Sequence, residues 1–194
     1  SNPAETLIIG GGVVGYNAAL IANGMQSKIT ILEKSEKRID FLKKEFPKAE
    51  ILNIDSIKLE TFISKFDLII GAVLIPGSQA PKVLQKKHLS LMKPGSVVVD
   101  VAIDQGGCFE TSKPTTHENP TYVVDGIVHY CVANMPGAVP KTSTISLNTA
   151  TLPYIESIAN NGLSKFLNKS EHYLHGLNTF KGHLTYKPVA ELFD

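Results

Sequence analysis

The chain has 194 residues, 43% hydrophobic and 19% charged, with a formal net charge of +1. That supports a sizeable core in one domain, or one domain with an appendage. Cations interspersed with acids argue against a nucleic-acid face, and no apolar run is long enough to cross a bilayer. Cys108 and Cys131 lack metal-ligand spacing and make no disulfide framework, so reduced thiols in a cytosol are expected. No signal peptide is visible, and Ser1-Asn2-Pro3 reads as an expression scar or a cut in a longer protein.

A first strand, predicted over Thr6–Ile9, feeds the loop Gly10-Gly11-Gly12-Val13-Val14-Gly15, which opens a helix over Val13–Asn23 ending at Gly24. A second strand, Lys28–Glu33, is followed by an amphipathic helix that Ser35 caps and that stops before Pro47. Further strands are expected at Glu50–Ile54, Leu68–Ala72 and Val97–Val101, with helices near Lys58–Lys65 and Val83–Met92 between them. Short Ile/Val/Leu-rich strands alternating with helices predict an α/β fold: a Rossmann-like, doubly wound parallel sheet. Beyond Asp104 lie a polar loop to Asn119, then Tyr122–Val124 and Ile127–Val132 as a hairpin around Asp125-Gly126. Met135–Pro140 breaks regular structure, which divides the chain into residues 1–140 and a helical segment, 141–194. In that segment Thr142–Asn160 reads as a helix interrupted or kinked at Pro153, and Asn178–Thr185 as a loop.

Each part of the opening pattern has a separate duty in holding a dinucleotide. Gly10 permits a tight turn, Gly12 lets the backbone approach a pyrophosphate, and Gly15 lets helix and strand pack closely. The helix start aims unpaired N–H groups and a positive dipole end at phosphates. Glu33 stands 18 residues beyond Gly15, near the spacing of the acid that binds the adenine ribose hydroxyls. A carboxylate there repels a 2′-phosphate, so NAD is preferred to NADP. A lone glycine triplet would equally be a bare turn; strand, helix, second strand and acid in register favour the ligand.

Three loops follow strand ends and could face that ligand: Gly71–Pro81, Val101–Gly107 and Val132–Gly137. Asp104, just past an apolar strand, is either a partly desolvated carboxylate with a raised pKa, ready for proton exchange, or a cap on its own loop. The six histidines are scattered without convincing metal spacing, so no metal is expected. Met135 either lines a pocket or packs in the core.

At these loops the sequence resembles the alanine dehydrogenase family. The matching stretches include Gly10–Gly15, Gly71–Gly77 with Ala80-Pro81, Val99–Glu110, Pro114–His117, His129-Tyr130, Ala133–Pro140 and Ala150–Pro153. The resemblance covers essentially the whole chain, at about the C-terminal half of a family member. The nicotinamide nucleotide transhydrogenases are similar too, but they typically carry Glu-Ala-Gly-Gly where this chain has Asp104-Gln105-Gly106-Gly107, and they lack the Asn134–Pro140 pattern. A transhydrogenase segment and a non-catalytic NAD-binding module are the alternatives.

The resemblance implies reversible oxidative deamination of L-alanine with NAD to pyruvate, ammonium and NADH in a cytoplasmic homo-oligomer, commonly a hexamer in full-length relatives. It implies that Val13 and Val14 meet the pyrophosphate, Glu33 the adenosine ribose, and Arg38 the adenine. Val73 and Leu74 would line the cofactor cleft, and Lys113 would stand near the cofactor. Val101, Ala102, Ile103 and Asp104 would contact the nicotinamide ribose, with Val132, Ala133, Asn134 and Met135 at the nicotinamide end. Asp104 matches the family's active-site aspartate. The family's substrate-binding Arg and Lys and its catalytic His come from the other half, so this stretch alone is expected to bind NAD without turning over alanine.

Overall fold

The computed structural model describes residues 2–74, 80–191 and 193. Ile75 to Gln79, in the middle of the Gly71–Pro81 loop, lie outside the described residues. The described chain falls into two compact units, one reaching to Met135 and the other running from Pro136 onward.

The first unit is built on seven strands: β1 (Glu5–Ile9), β2 (Lys28–Glu33), β3 (Glu50–Asn53), β4 (Leu68–Gly71), β5 (Val97–Asp100), β6 (Thr121–Val124) and β7 (Ile127–Tyr130), in the order β3-β2-β1-β4-β5-β7-β6. All neighbours are parallel except β6 and β7, which pair antiparallel. Their turn is Asp125-Gly126, both with positive φ (50° and 79°), the conformation a two-residue hairpin requires.

Burial explains why these runs are strands. On β1 the side chains alternate between two cores, as a period of two demands. Leu7 and Ile9 join Phe66, Leu84, Leu89 and Phe109 on one face, and Ile8 joins Ala19, Ile31, Ile39 and Leu42 on the other. Helices α1 (Val13–Gly24) and α2 (Glu36–Glu45) supply that second face, and the Ser35 hydroxyl caps α2 by accepting from the Arg38 N–H. Each fully buried Leu or Ile contributes roughly 1.5–3 kcal/mol by leaving water.

Two predicted helices are shorter or tighter than expected. Lys58–Lys65 is a pair of 3-10 turns, Leu59–Thr61 and Ile63–Lys65. The Thr61 hydroxyl donates to the Lys58 carbonyl at 2.7 Å, competing with an α-helical ladder. In Val83–Met92 only α3 (Lys86–Leu89) is helical. The backbone before it is engaged elsewhere: Leu84 bridges to Phe109, and the Val83 N–H donates to the Cys108 carbonyl.

The second unit opens with α4 (Pro140–Asn161), one continuous helix through Pro153 rather than two pieces. Short helices α5 (Leu163–Leu167), α6 (Glu171–Leu174) and α7 (Lys187–Ala190) follow. The expected loop at Asn178–Thr185 is instead a small hairpin, β8 (Thr179–Phe180) and β9 (His183–Leu184), turned by Lys181 and Gly182 at positive φ. No helix among the described residues is long and apolar enough to cross a membrane.

Candidate functional site

The carboxyl ends of β1 and β4 meet where the strand order reverses, and the glycine loop begins there. Gly10 takes φ +98°, its N–H donates to the Leu32 carbonyl at 2.8 Å, and an added Cβ would sit 2.6 Å from the Ala72 carbonyl oxygen. A Cβ at Gly15 would collide with the Gly10 carbonyl, so helix and strand approach here because both residues lack side chains. Gly12 differs: an added Cβ would meet nothing within 4 Å. That space lies over the start of α1, where Val13 is 79% exposed and Val14 47%. Among the described residues the N–H groups of Gly12, Val13 and Val14 have no acceptor, so the positive end of a 12-residue helix is bare. Open space above unpaired donors is what an anionic bridge needs.

Glu33, half-buried at the end of β2, accepts from the Gly11 N–H at 2.8 Å through one oxygen. Through the other it accepts from Lys34 and Ser35 at 2.8 and 2.9 Å. These bonds use three of its roughly four acceptor positions and leave one for a hydroxyl. Arg38 lies beside the loop, its Nε donating to the Gly11 carbonyl at 2.6 Å and its Nη2 to the Gly12 carbonyl at 3.3 Å.

The other expected contacts follow neighbouring strands at the same end of the sheet. After β4, Val73 is half-buried and Leu74 exposed. After β5, Val101 is half-buried, Ala102 and Ile103 are buried, and Asp104 lies in the 3-10 turn Ile103–Gln105. After β7, Val132 is fully buried, Ala133 and Met135 half-buried, and Asn134 exposed with φ 53°. Asp104 and Asn134 meet directly: an Asp104 carboxylate oxygen accepts the Asn134 N–H at 3.3 Å. The Lys113 side chain is exposed, and its backbone N–H donates to the Tyr122 hydroxyl at 2.7 Å.

Asp104 is exposed. The buried carboxylate is four residues earlier. Asp100, at the end of β5, is fully buried and accepts N–H bonds from Ala102 (3.1 Å), Cys108 (2.9 Å) and Phe109 (3.1 Å), and the Ser112 hydroxyl at 2.5 Å. It staples Cys108–Ser112 back onto the strand and so fixes the turn bearing Asp104. A charged residue inside an otherwise apolar strand, Val97–Val101, was the signal available in the sequence. Burial first, then the Asp100 charge, pushes the Cys108 thiol far up, so it stays protonated.

Polar side chains extend this support. The Tyr122 ring stacks on His129 at 5.0 Å, and its hydroxyl donates to the Thr111 carbonyl at 2.9 Å. His129 sits with Nδ1 3.0 Å from the Ile127 carbonyl and Nε2 2.8 Å from the Thr111 hydroxyl. The carbonyl can only accept, so Nδ1 carries the hydrogen and Nε2 accepts. Burial lowers the His129 pKa. No cluster of three potential metal ligands occurs among the described residues.

A parallel sheet with a glycine turn at its reversal point, a bare helix start and a carboxylate on the next strand defines a dinucleotide-binding domain of the Rossmann-like class. The chain belongs to the alanine dehydrogenase/PNT family: residues 1–187 match the family model for "Alanine dehydrogenase/PNT, C-terminal domain". It is 55% identical over 192 residues to the alanine dehydrogenase of Halomonas elongata, covering 98% of this chain and 52% of that protein. A solved L-alanine dehydrogenase is similar at a TM-score of 0.85 and 43% identity, over 99% of this chain and 53% of that one. A transhydrogenase from Sinorhizobium meliloti shares the fold, with a TM-score of 0.72 and 24% identity over 81% of this chain and 45% of that one. The chain thus spans about half the length of the curated relatives it matches. Family membership implies NAD as the cofactor, and the open space at Gly12, the unpaired N–H groups and the free acceptor position on Glu33 fit that group.

Proposed function

We propose that this chain is the NAD-holding portion of an L-alanine dehydrogenase, which interconverts L-alanine, NAD and water with pyruvate, ammonium, NADH and a proton. The observation that carries this reading is the 55% identity to an alanine dehydrogenase across nearly the whole chain, joined to a helix start left free for phosphates. NAD, when bound, supplies the hydride acceptor. In this reading Gly10, Gly12 and Gly15 shape the phosphate turn, and Val13 and Val14 present N–H donors. Glu33 accepts from a ribose hydroxyl with its remaining position and rejects a 2′-phosphate. Val73 and Leu74 flank the cleft, Val101 to Asp104 and Val132 to Met135 border the reacting end, and Lys113 adds a positive charge nearby. Asp104, exposed and tied to Asn134, is the group that handles ammonia and the proton. Residues that grip the substrate carboxylate belong to the rest of the polypeptide. The enzyme is read as a cytoplasmic homo-oligomer, in keeping with two free, buried cysteines.

Calorimetric titration with NAD and NADP tests the reading. NAD binds more tightly, and Glu33→Ala narrows that preference by about 1–3 kcal/mol, the range for a lost hydrogen bond to a charged partner. Equal affinity for both cofactors in the unmutated protein overturns the role given to Glu33. A polypeptide of these 194 residues binds NAD, yet alanine-dependent NADH formation requires the rest of the enzyme. Normal turnover by this stretch alone refutes that division of labour.

A further inference from the structure

Three successive glycines, Gly10 to Gly12, form the least self-ordering stretch a chain can offer, because each samples far more backbone conformations than other residues. A turn that must present N–H groups in a fixed direction needs an external brace. The structure supplies one on each side of Gly11. Its N–H donates to the Glu33 carboxylate at 2.8 Å, and its carbonyl accepts from Arg38 Nε at 2.6 Å, with the Gly12 carbonyl 3.3 Å from Nη2. The guanidinium is itself held, 4.5 Å above the Phe41 ring and 5.6 Å from that of Tyr16, and Tyr16 is tied through its hydroxyl to Glu45 at 2.9 Å.

We propose that Arg38 is a positioning residue of the glycine turn, acting on the cofactor's phosphates through the carbonyls of Gly11 and Gly12 rather than on the adenine. The inference rests on the NAD-binding reading above. The Gly12 carbonyl already accepts the Tyr16 N–H at 2.9 Å as the first bond of α1, so Arg38 ties the Gly11 carbonyl to that fixed point and offsets carbonyl charge that would repel an anion at the helix start. The planar guanidinium fork presents its N–H groups at a fixed angle to one another, whereas a lysine ammonium can bond carbonyls, as Lys82 bonds those of Gly106 and Gly107, without fixing their direction. Family likeness implies that Arg38 stands beside the adenine, but two of its donor nitrogens are committed to the turn, and its Cζ lies 4.5 Å from the centre of the Phe41 ring.

The test compares three ligands on the unmutated protein, Arg38→Met and Arg38→Lys. NAD and ADP-ribose carry the pyrophosphate; adenosine carries the base and ribose alone. Arg38→Met weakens NAD and ADP-ribose about tenfold or more and leaves adenosine, followed by NMR shifts, within about twofold, with Arg38→Lys intermediate. Equal weakening of all three ligands places Arg38 on the adenine and overturns the proposal, as does no change in any. A ligand-free readout separates this from failure of the NAD reading. Backbone ¹⁵N order parameters of Gly11 and Gly12 fall from about 0.85 towards 0.6 in Arg38→Met, while the unfolding midpoint hardly moves. Unaltered order parameters overturn the brace even if the unmutated protein binds no NAD, whereas a loosened turn without NAD binding sinks the cofactor reading alone.

Discussion

Asp100 offers the sharpest test of how the site is held. Its carboxylate is the only acceptor found for three buried N–H groups, those of Ala102, Cys108 and Phe109, among the described residues, and it also receives the Ser112 hydroxyl. Asp100→Ala strands these donors at about 1–3 kcal/mol each if none is rehydrated. Water entering the vacated space recovers part of that, and the net expected loss is roughly 3–5 kcal/mol, a large share of a typical 5–15 kcal/mol. Asp100→Asn is a milder cut. Its amide oxygen can serve Cys108, Phe109 and Ser112, but its NH₂ then faces the Ala102 N–H, donor against donor, costing about 1–3 kcal/mol. Urea unfolding followed by circular dichroism reads both, with the midpoint falling in the order Ala below Asn below the native residue. If Asp100→Ala loses less than about 1 kcal/mol at unchanged slope, or Asn matches Ala, the nest of donors is not what holds Cys108–Ser112 to β5.

Gly12→Ala separates folding from binding. The new methyl meets no atom, so the unfolding free energy stays within about 0.5–1 kcal/mol, a poorer helix cap being offset by a stiffer unfolded chain. NAD affinity falls about tenfold or more, since the methyl occupies the approach to the helix start; unchanged affinity measured by calorimetry contradicts that placement. A pH prediction follows from His129, whose pKa burial depresses below its ordinary 6.5. The unfolded chain takes up this proton first, so His129's contribution is complete above about 6.5 and is lost as pH falls from there towards the lower native value. Stability curves between pH 7 and 5 show that loss, and His129→Gln flattens the slope; an equal slope in the variant assigns the loss to other groups.

Period and punctuation made most of the first unit readable. Apolar runs bounded by Gly10, Ser35, Pro47 and Lys93-Pro94-Gly95 gave strand and helix limits within a residue or two. Asp125-Gly126 announced its hairpin, because Gly and Asp tolerate positive φ where most residues do not. Segments whose backbone bonds to something distant in sequence were harder. Val83 and Leu84 look helical in their own neighbourhood, yet Cys108 and Phe109, some 25 residues on, claim them. The same holds for the site. The glycines and Glu33 declare themselves by spacing, whereas Asp100 shows in the sequence only as a charge within an apolar strand, and its burial depends on how Cys108 and Phe109 fold back over Gly71. Arg38 sits on a helix whose surface charges all look solvated until its guanidinium is seen bonded to the turn.

The sealed thiol of Cys108 has a practical consequence. A sulfur that is fully covered and keeps its proton is chemically silent towards alkylating reagents while the segment from Asp100 to Ser112 stays closed. Its labelling therefore acts as a clock for opening of that one segment, so the lifetime of the scaffold beneath Asp104 can be followed without any cofactor or substrate present.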